Sequence, residues 1–139
     1  MEITFALFAD AANLSVEGKL NILGVFDTLQ VGAVPVVHPR AHLVVRLKGG
    51  RDDTGPHSVG LEWVNPRGDS LWSSTGELSI GTPPPGVTEM DVPLIAAIDL
   101  PIDSSGNYVM RIAIDGVPHG EVKLNVRTGA QAMGGKLVS

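Results

Sequence analysis

The chain contains no cysteine, which excludes a disulfide framework, a thiolate metal site and a thiol nucleophile together. Aromatic residues make up 4% of the sequence, little material for the concave aromatic patch that a sugar-binding module uses. Positive charge is scarce as well. Ten Lys and Arg are scattered among fifteen Asp and Glu, and the net charge of -5 leaves no basic face to grip a phosphate backbone. No apolar run approaches the roughly eighteen residues that a membrane helix needs. The opening "MEITFALFADAA" has an acid at position two, where a secretory signal carries positive charge, and its apolar run alternates before meeting Asp10. These deficits lead to the expectation of a cytoplasmic protein with neither a nucleic-acid nor a membrane partner. They also set aside the Asn13-Leu14-Ser15 glycosylation sequon, a pattern short enough to occur by chance.

What is present is hydrophobic content at 43% in 139 residues, enough for one domain that buries roughly two-thirds of its unfolded surface. The apolar residues recur with period two, the strand period, and Gly or Pro clusters divide the runs. Eight runs follow one another: Ile3 to Phe8, Lys19 to Val31, Ala41 to Lys48, His57 to Val64, Ser70 to Ile80, Met90 to Leu100, Tyr108 to Ile114 and His119 to Arg127. In the third, Ala41, Leu43, Val45 and Leu47 share one face, opposite His42, Val44 and Arg46. In the second, Leu20, Ile22 and Phe26 lie on one side and Leu23, Val25 and Leu29 on the other, so this strand requires cover on both faces. No segment shows a 3.6-residue stripe. About eight strands with near-regular turns define an all-β fold, expected as a two-sheet antiparallel sandwich of immunoglobulin-like type over residues 1–127. An open barrel is the alternative. The tail "TGAQAMGGKLVS" has small residues without alternation, and residues 128–139 are expected to be flexible.

Turn chemistry locates the connections. In "NPRGD", Pro66 supplies the fixed φ of a turn's second position and Gly68 a left-handed residue, so Asn65 faces Asp69 across a three-residue loop. Counting outward sets Trp63 opposite Leu71 and Glu62 opposite Trp72. Asp115-Gly116 is a strong two-residue hairpin signal, but that loop pairs Ile112 with His119 and Tyr108 with Lys123, apolar against polar. A connection of three to five residues through "DGVPH" is therefore expected, with Met110 and Ile112 on the same face as Val122 and Leu124. Between the first two strands, Asp10 to Lys19 reads as an ordered wide turn with room for one helical turn around Ala11 to Leu14.

The stretch "FALFADAANLSVEGKLNILGVFD", followed by "VHPRAHLVVRL" and closed by "GNYVMRIAIDG" and "VKLNV", resembles a family of small uncharacterised bacterial proteins, a domain of unknown function. The resemblance spans nearly all of residues 3–127. It implies a standalone β domain in bacteria and supplies no activity, substrate or catalytic residue.

The chemical motifs are weak. His38 and His42 have the four-residue spacing that aligns two metal ligands on a helix, but Pro39 and the strand period deny that helix. No metal and no cofactor are expected. An enzyme would require a convergent set among Asp10, Asp27, His38, His42 and His57, with Asp99 a further carboxylate at a strand end. "GAQAMGGK" misses a phosphate loop by one residue in spacing and lacks the following hydroxyl. "GELSIG" places its serine one position late for a nucleophile elbow. Arg67-Gly68-Asp69 spells an adhesion tripeptide, and turn chemistry accounts for all three residues. "TPPPG", from Thr82 to Gly86, reads as a stiff link between strands.

One residue stands out under the hairpin register above. Trp72 falls on the polar face beside Glu62, with Val64 nearby, and an exposed tryptophan in an aromatic-poor chain marks a contact surface. The functional expectation is a non-catalytic protein-binding or self-assembling module, with a protein partner or a homo-oligomer and Trp72, Glu62 and Val64 as contact residues. A small-ligand or carbohydrate-binding module is the alternative, and a small enzyme the third reading.

Overall fold

A computed structural model of the chain describes residues 1–129. The described residues form nine strands: β1 Glu2–Leu14, β2 Leu20–Phe26, β3 Thr28–Val31, β4 Val36–Gly50, β5 Gly55–Val64, β6 Ser70–Ile80, β7 Glu89–Ile102, β8 Gly106–Ile114 and β9 Val117–Thr128. One turn of 3-10 helix at Arg51–Asp53 joins β4 to β5. The strands make two sheets in the orders β2-β1-β4-β7 and β3-β9-β8-β5-β6. This is the all-β sandwich that the alternation requires. Its pairings are antiparallel except β3 with β9, which run parallel. The flexible tail expected at 128–139 falls, from residue 130 onward, outside the described residues.

The alternating residues meet between the sheets. Phe8, Leu43, Val45, Leu47 and Leu100 from the first sheet pack with Leu61, Trp63, Tyr108, Met110 and Leu124 from the second. Trp63 is at the centre, stacked on Tyr108 at 5.0 Å between ring centroids and edge-on to Phe8 at 5.9 Å. Its indole N–H donates to the carbonyl of Pro101 on the opposite sheet at 2.9 Å, so the largest core ring leaves no polar atom unpaired.

Three local expectations are corrected by pairing across strands. First, Ala11 to Leu14 is not helical: Ala11 lies opposite Leu23, Ala12 opposite Ile22 and Leu14 opposite Leu20. The wide turn shrinks to Ser15–Lys19, closed by Ser15 N–H to Lys19 O at 2.8 Å, with Gly18 at φ 83°. Second, the long run Lys19 to Val31 divides at Asp27. There the chain leaves the first sheet and adds β3 to the edge of the second.

Third, two one-residue bulges reset the hairpin counts. The "NPRGD" loop closes as expected, with Asn65 N–H to Asp69 O at 2.9 Å and Val64 opposite Ser70, but Leu71 is then passed over. Trp63 therefore faces Trp72, and Glu62 faces Ser73. In the last hairpin Asp115 (φ 51°) and Gly116 (φ 78°) do form a two-residue turn between Ile114 and Val117. A bulge at His119 then sets Ile112 opposite Gly120 and Met110 opposite Val122. The dipeptide signal and the facing pattern hold together, and the longer connection is not needed.

Candidate functional site

The β1–β2 hairpin carries the most conspicuous surface. β2 closes one edge of the first sheet, paired with β1 on one side alone. Its alternation turns Leu20, Ile22 and Phe26 toward cover and leaves Leu23 and Val25 at 73% and 60% exposure. The hairpin curls so that Gly18, Lys19, Leu20 and Ile22 line one cavity of about 440 Å³ with Phe5, Arg46, Asp91 and Pro93 of the same sheet. Cover on both faces, which the doubly apolar run requires, is thus supplied on one face only. Of eight large apolar side chains left exposed among the described residues, four belong to this hairpin: Leu14, Val16, Leu23 and Val25. Three more, Val34, Val36 and Val37, cluster at the start of β4.

A second concavity of about 720 Å³ crosses the outer face of the second sheet. Cross-strand register builds its floor and wall in rows. Gly60 faces Ala113 and Thr75, while the next row outward runs Ser73, Glu62, Arg111, Glu121. Arg111 reaches Glu62 at 3.4 Å, an exposed pair of small energetic weight. Glu62 therefore lines a groove, although not beside Trp72. No Phe, Tyr or Trp ring lines this groove; its one aromatic ring is the His119 imidazole.

The expected contact residues do not form one patch. Trp72 shares the inward face with Trp63 and packs, half-buried, against the core. Val64 is buried, and Glu62 lies on the opposite face of the sheet. The one-residue bulge at Leu71 is the cause, and no residue type in "SLWSS" announces it.

The titratable clusters are bonded into the turns and loops that carry them. His57 is held at both ring nitrogens, Nδ1 by the Asp115 carboxylate and Nε2 by the Asp53 carbonyl, each at 2.6 Å. These bonds, that to Asp115 foremost, raise its pKa above the ordinary histidine value and leave no nitrogen free to act as a base. The same contact, with the Ser58 N–H, holds Asp115 below the ordinary carboxylate value. At the other end of the sandwich the Asp103 carboxylate accepts Asn65 Nδ2, Arg67 Nη2 and the Tyr108 hydroxyl, each at 2.9 Å. The Asn65 amide is the main cause of its lowered pKa. Arg67 bridges Asp69 of its own loop and Asp103 of the β7–β8 loop, so the adhesion tripeptide is tied down at both.

The remaining candidates are used singly. His42 Nδ1 lies 3.0 Å from the Arg40 carbonyl in the bulge of β4, and the His38 ring is edge-on to Phe26. Asp99 accepts the Arg40 N–H, Asp27 accepts the Thr28 hydroxyl, and Asp10 abuts Gly24. Among the described residues no group of three or more His, Asp or Glu side chains is placed to hold a metal ion. Nor is any described helix long and apolar enough to cross a membrane.

The fold and its surfaces define a two-sheet β sandwich with an open, apolar edge hairpin and a grooved outer face. The chain belongs to a family of unknown function, DUF6941, whose model matches residues 4–127. A comparison with curated proteins returns no match. Among solved structures, the chain is similar to a Pseudomonas fluorescens alkylpurine DNA glycosylase, AlkC, bound to DNA containing an abasic site analog. The identity is 11% and the TM-score 0.43, and the match covers 88% of this chain and 30% of that one. A similarity of that size carries no argument about this chain.

Proposed function

We propose that this protein is a non-catalytic protein-binding module of immunoglobulin-like type, and that its working surface is the β1–β2 hairpin, not the face around Trp72. The carrying observation is an edge strand, Leu20–Phe26, with no charged side chain, no proline and two strongly exposed apolar residues. Soluble sandwiches ordinarily blunt such an edge with charge, proline or extreme shortness, because its unpaired N–H and C=O groups accept a further strand. An edge left open is suited to strand addition, in which main-chain bonds give affinity and alternate side chains give specificity.

The immunoglobulin-like part of the reading is supported by connectivity and by two side chains. β1-β4-β7 and β9-β8-β5-β6 follow the order of the two sheets in that architecture, with β3 on the outer edge of the second. Trp63 on β5 occupies the core, and the Tyr108 hydroxyl near the start of β8 accepts the N–H groups of Asp103 and Ser104 at 3.1 and 3.0 Å, as a tyrosine corner does. A cytoplasmic setting belongs to the same proposal, since this core is completed without a disulfide. The net charge of -5 favours a protein partner over a nucleic acid.

Affinity capture with the wild-type chain and with Leu23→Lys/Val25→Lys tests the reading. The double variant should keep its melting temperature and lose the captured partner, another copy of the chain included. Capture that is unchanged in the double variant would move the working surface elsewhere. The groove across Gly60 supports a second reading, a small-ligand module. No positive φ and no close neighbour explains a glycine there: an added Cβ would meet only the Ala113 Cβ, at an ordinary 3.8 Å. Glycine inside a strand often marks the close approach of a ligand.

A further inference from the structure

We infer that the occupant of the β2 edge is a second copy of this chain, paired antiparallel to the first about a two-fold axis at Leu23. The inference rests on the protein-contact reading and names its partner. A two-fold contact must be self-complementary, since each surface meets itself. β2 satisfies this electrostatically: with no charge from Leu20 to Phe26, a copy laid against it meets no like charge. The other described edges are defended. β7 carries Asp91, Pro93, Asp99 and Pro101, β6 is rich in hydroxyls and carries Glu77, and β3 is four residues long.

Full overlap of the seven-residue strand sets the axis at its middle residue, and hydrogen-bond alternation fits that axis. The Ser15–Lys19 bond that closes the hairpin makes Asn21 and Leu23 bond toward β1, which turns the N–H and C=O groups of Leu20 and Ile22 outward. With the axis at Leu23, those outward groups meet Phe26 and Gly24 of the other copy, Asn21 meets Val25, and Leu23 meets itself. The two first sheets become one continuous sheet.

The same axis accounts for the other exposed apolar side chains. Antiparallel pairing carries Leu14 and Val16 of one hairpin past the Phe26 end of the other. That end borders the start of β4, since the His38 ring lies 5.9 Å from that of Phe26, and there Val36 and Val37 are exposed. Each hairpin tip therefore reaches the apolar cluster of its mate. Val117, the remaining exposed residue of the set, sits on the β8–β9 turn of the second sheet, outside the contact.

The absence of native cysteine makes the test direct. Side chains that face each other across antiparallel strands have Cβ atoms about 4.5 to 5.5 Å apart, near disulfide range. Under mild oxidant Leu23→Cys should form a covalent dimer and Val117→Cys should not. Sedimentation over a range of concentrations should show a wild-type dimer, weakened roughly tenfold or more by Leu23→Lys and also by Val37→Lys, and unchanged by Val117→Lys. Circular dichroism on every variant establishes that each is folded. A dimer indifferent to Leu23→Lys, or cross-linked through Val117→Cys, overturns both this inference and the hairpin reading. A wild-type chain that stays monomeric while its hairpin variant still loses a captured partner overturns the second copy alone.

Discussion

Trp63 stands directly opposite Trp72 across the β5–β6 pair, so the chain's two tryptophans share the inward face and differ in depth rather than in side. Trp63 is wholly buried, whereas Trp72 is half-buried at the core's margin. Truncating Trp63 to Ala should cost about 3 to 5 kcal/mol, the range for emptying a buried aromatic site. Trp72→Ala should cost less, about 1 to 2 kcal/mol, in proportion to the area it buries. Chemical denaturation measures both. Sedimentation of Trp72→Ala should match wild type; a weakened association would return Trp72 to the contact surface.

The alternation in "AHLVVRL" and the facing sets Met110/Ile112 and Val122/Leu124 were legible because period two follows from backbone geometry. The bulges at Leu71 and His119 were not. A bulge is set by the fit between two strands, and a single strand's residues carry no mark of it. The hairpin strand through "ADAANL" was hidden for a similar reason: its small residues do not alternate in polarity, and pairing with β2 makes them a strand. The open β2 edge was half legible. Leu23 and Val25 read from the sequence as part of a second apolar face, but strand order, which decides whether anything covers that face, is a property of the assembled sheets. The groove across Gly60 needed four strands in register before it existed.

His57 makes stability depend on pH in the alkaline direction. Its folded pKa is raised above the ordinary 6.5 by Asp115 and the Asp53 carbonyl, so the protonated form is the one the fold favours. The contribution is complete below 6.5 and is lost as pH rises through the folded pKa. Asp115, whose pKa is lowered from 3.8, contributes above 3.8, and that part is lost as pH falls through its folded pKa. The pair should therefore stabilise most between these two values. Melting temperature followed from pH 5 to 9 should decline at the alkaline end, and His57→Gln should flatten the decline. An unchanged slope in the variant would assign it to other groups.

Gly60 supplies a test whose sign is informative. A methyl group at this position has room, and the backbone does not require glycine. Gly60→Ala should stabilise the fold by about 0.5 to 1 kcal/mol through reduced freedom of the unfolded chain. A loss of stability would show that the floor of the groove is tighter than its 3.8 Å contact indicates. If the gain is found, Gly60→Leu becomes a folded variant with a filled groove, and ligand screens run in parallel on the two proteins separate the small-ligand reading from the hairpin reading.

The Tyr108 hydroxyl joins the β7–β8 loop to the core, and its removal should expose how much the loop depends on it. The oxygen accepts two backbone N–H groups, from Asp103 and Ser104, and its hydrogen lies within reach of Asp103 Oδ1 at 2.9 Å and the Ser104 carbonyl at 2.8 Å. Tyr108→Phe keeps the ring stacked on Trp63 and deletes these bonds, leaving partly buried donors without an acceptor. That should cost about 1 to 3 kcal/mol near neutral pH. The cost should also depend on pH. Asp103 has its pKa held below 3.8 by the Asn65 amide first and by the Tyr108 hydroxyl among its further partners, so its contribution is present above 3.8 and lost as pH falls through the folded pKa. Tyr108→Phe should accordingly lose less at strongly acid pH than at neutral pH, and Asp103→Asn should flatten the acid limb of the melting curve. A double-mutant cycle between the two positions should give a coupling energy at neutral pH that shrinks when Asp103 is protonated. Equal losses for Tyr108→Phe at both pH values would mean that the backbone N–H groups, and not the carboxylate, account for the hydroxyl's whole contribution.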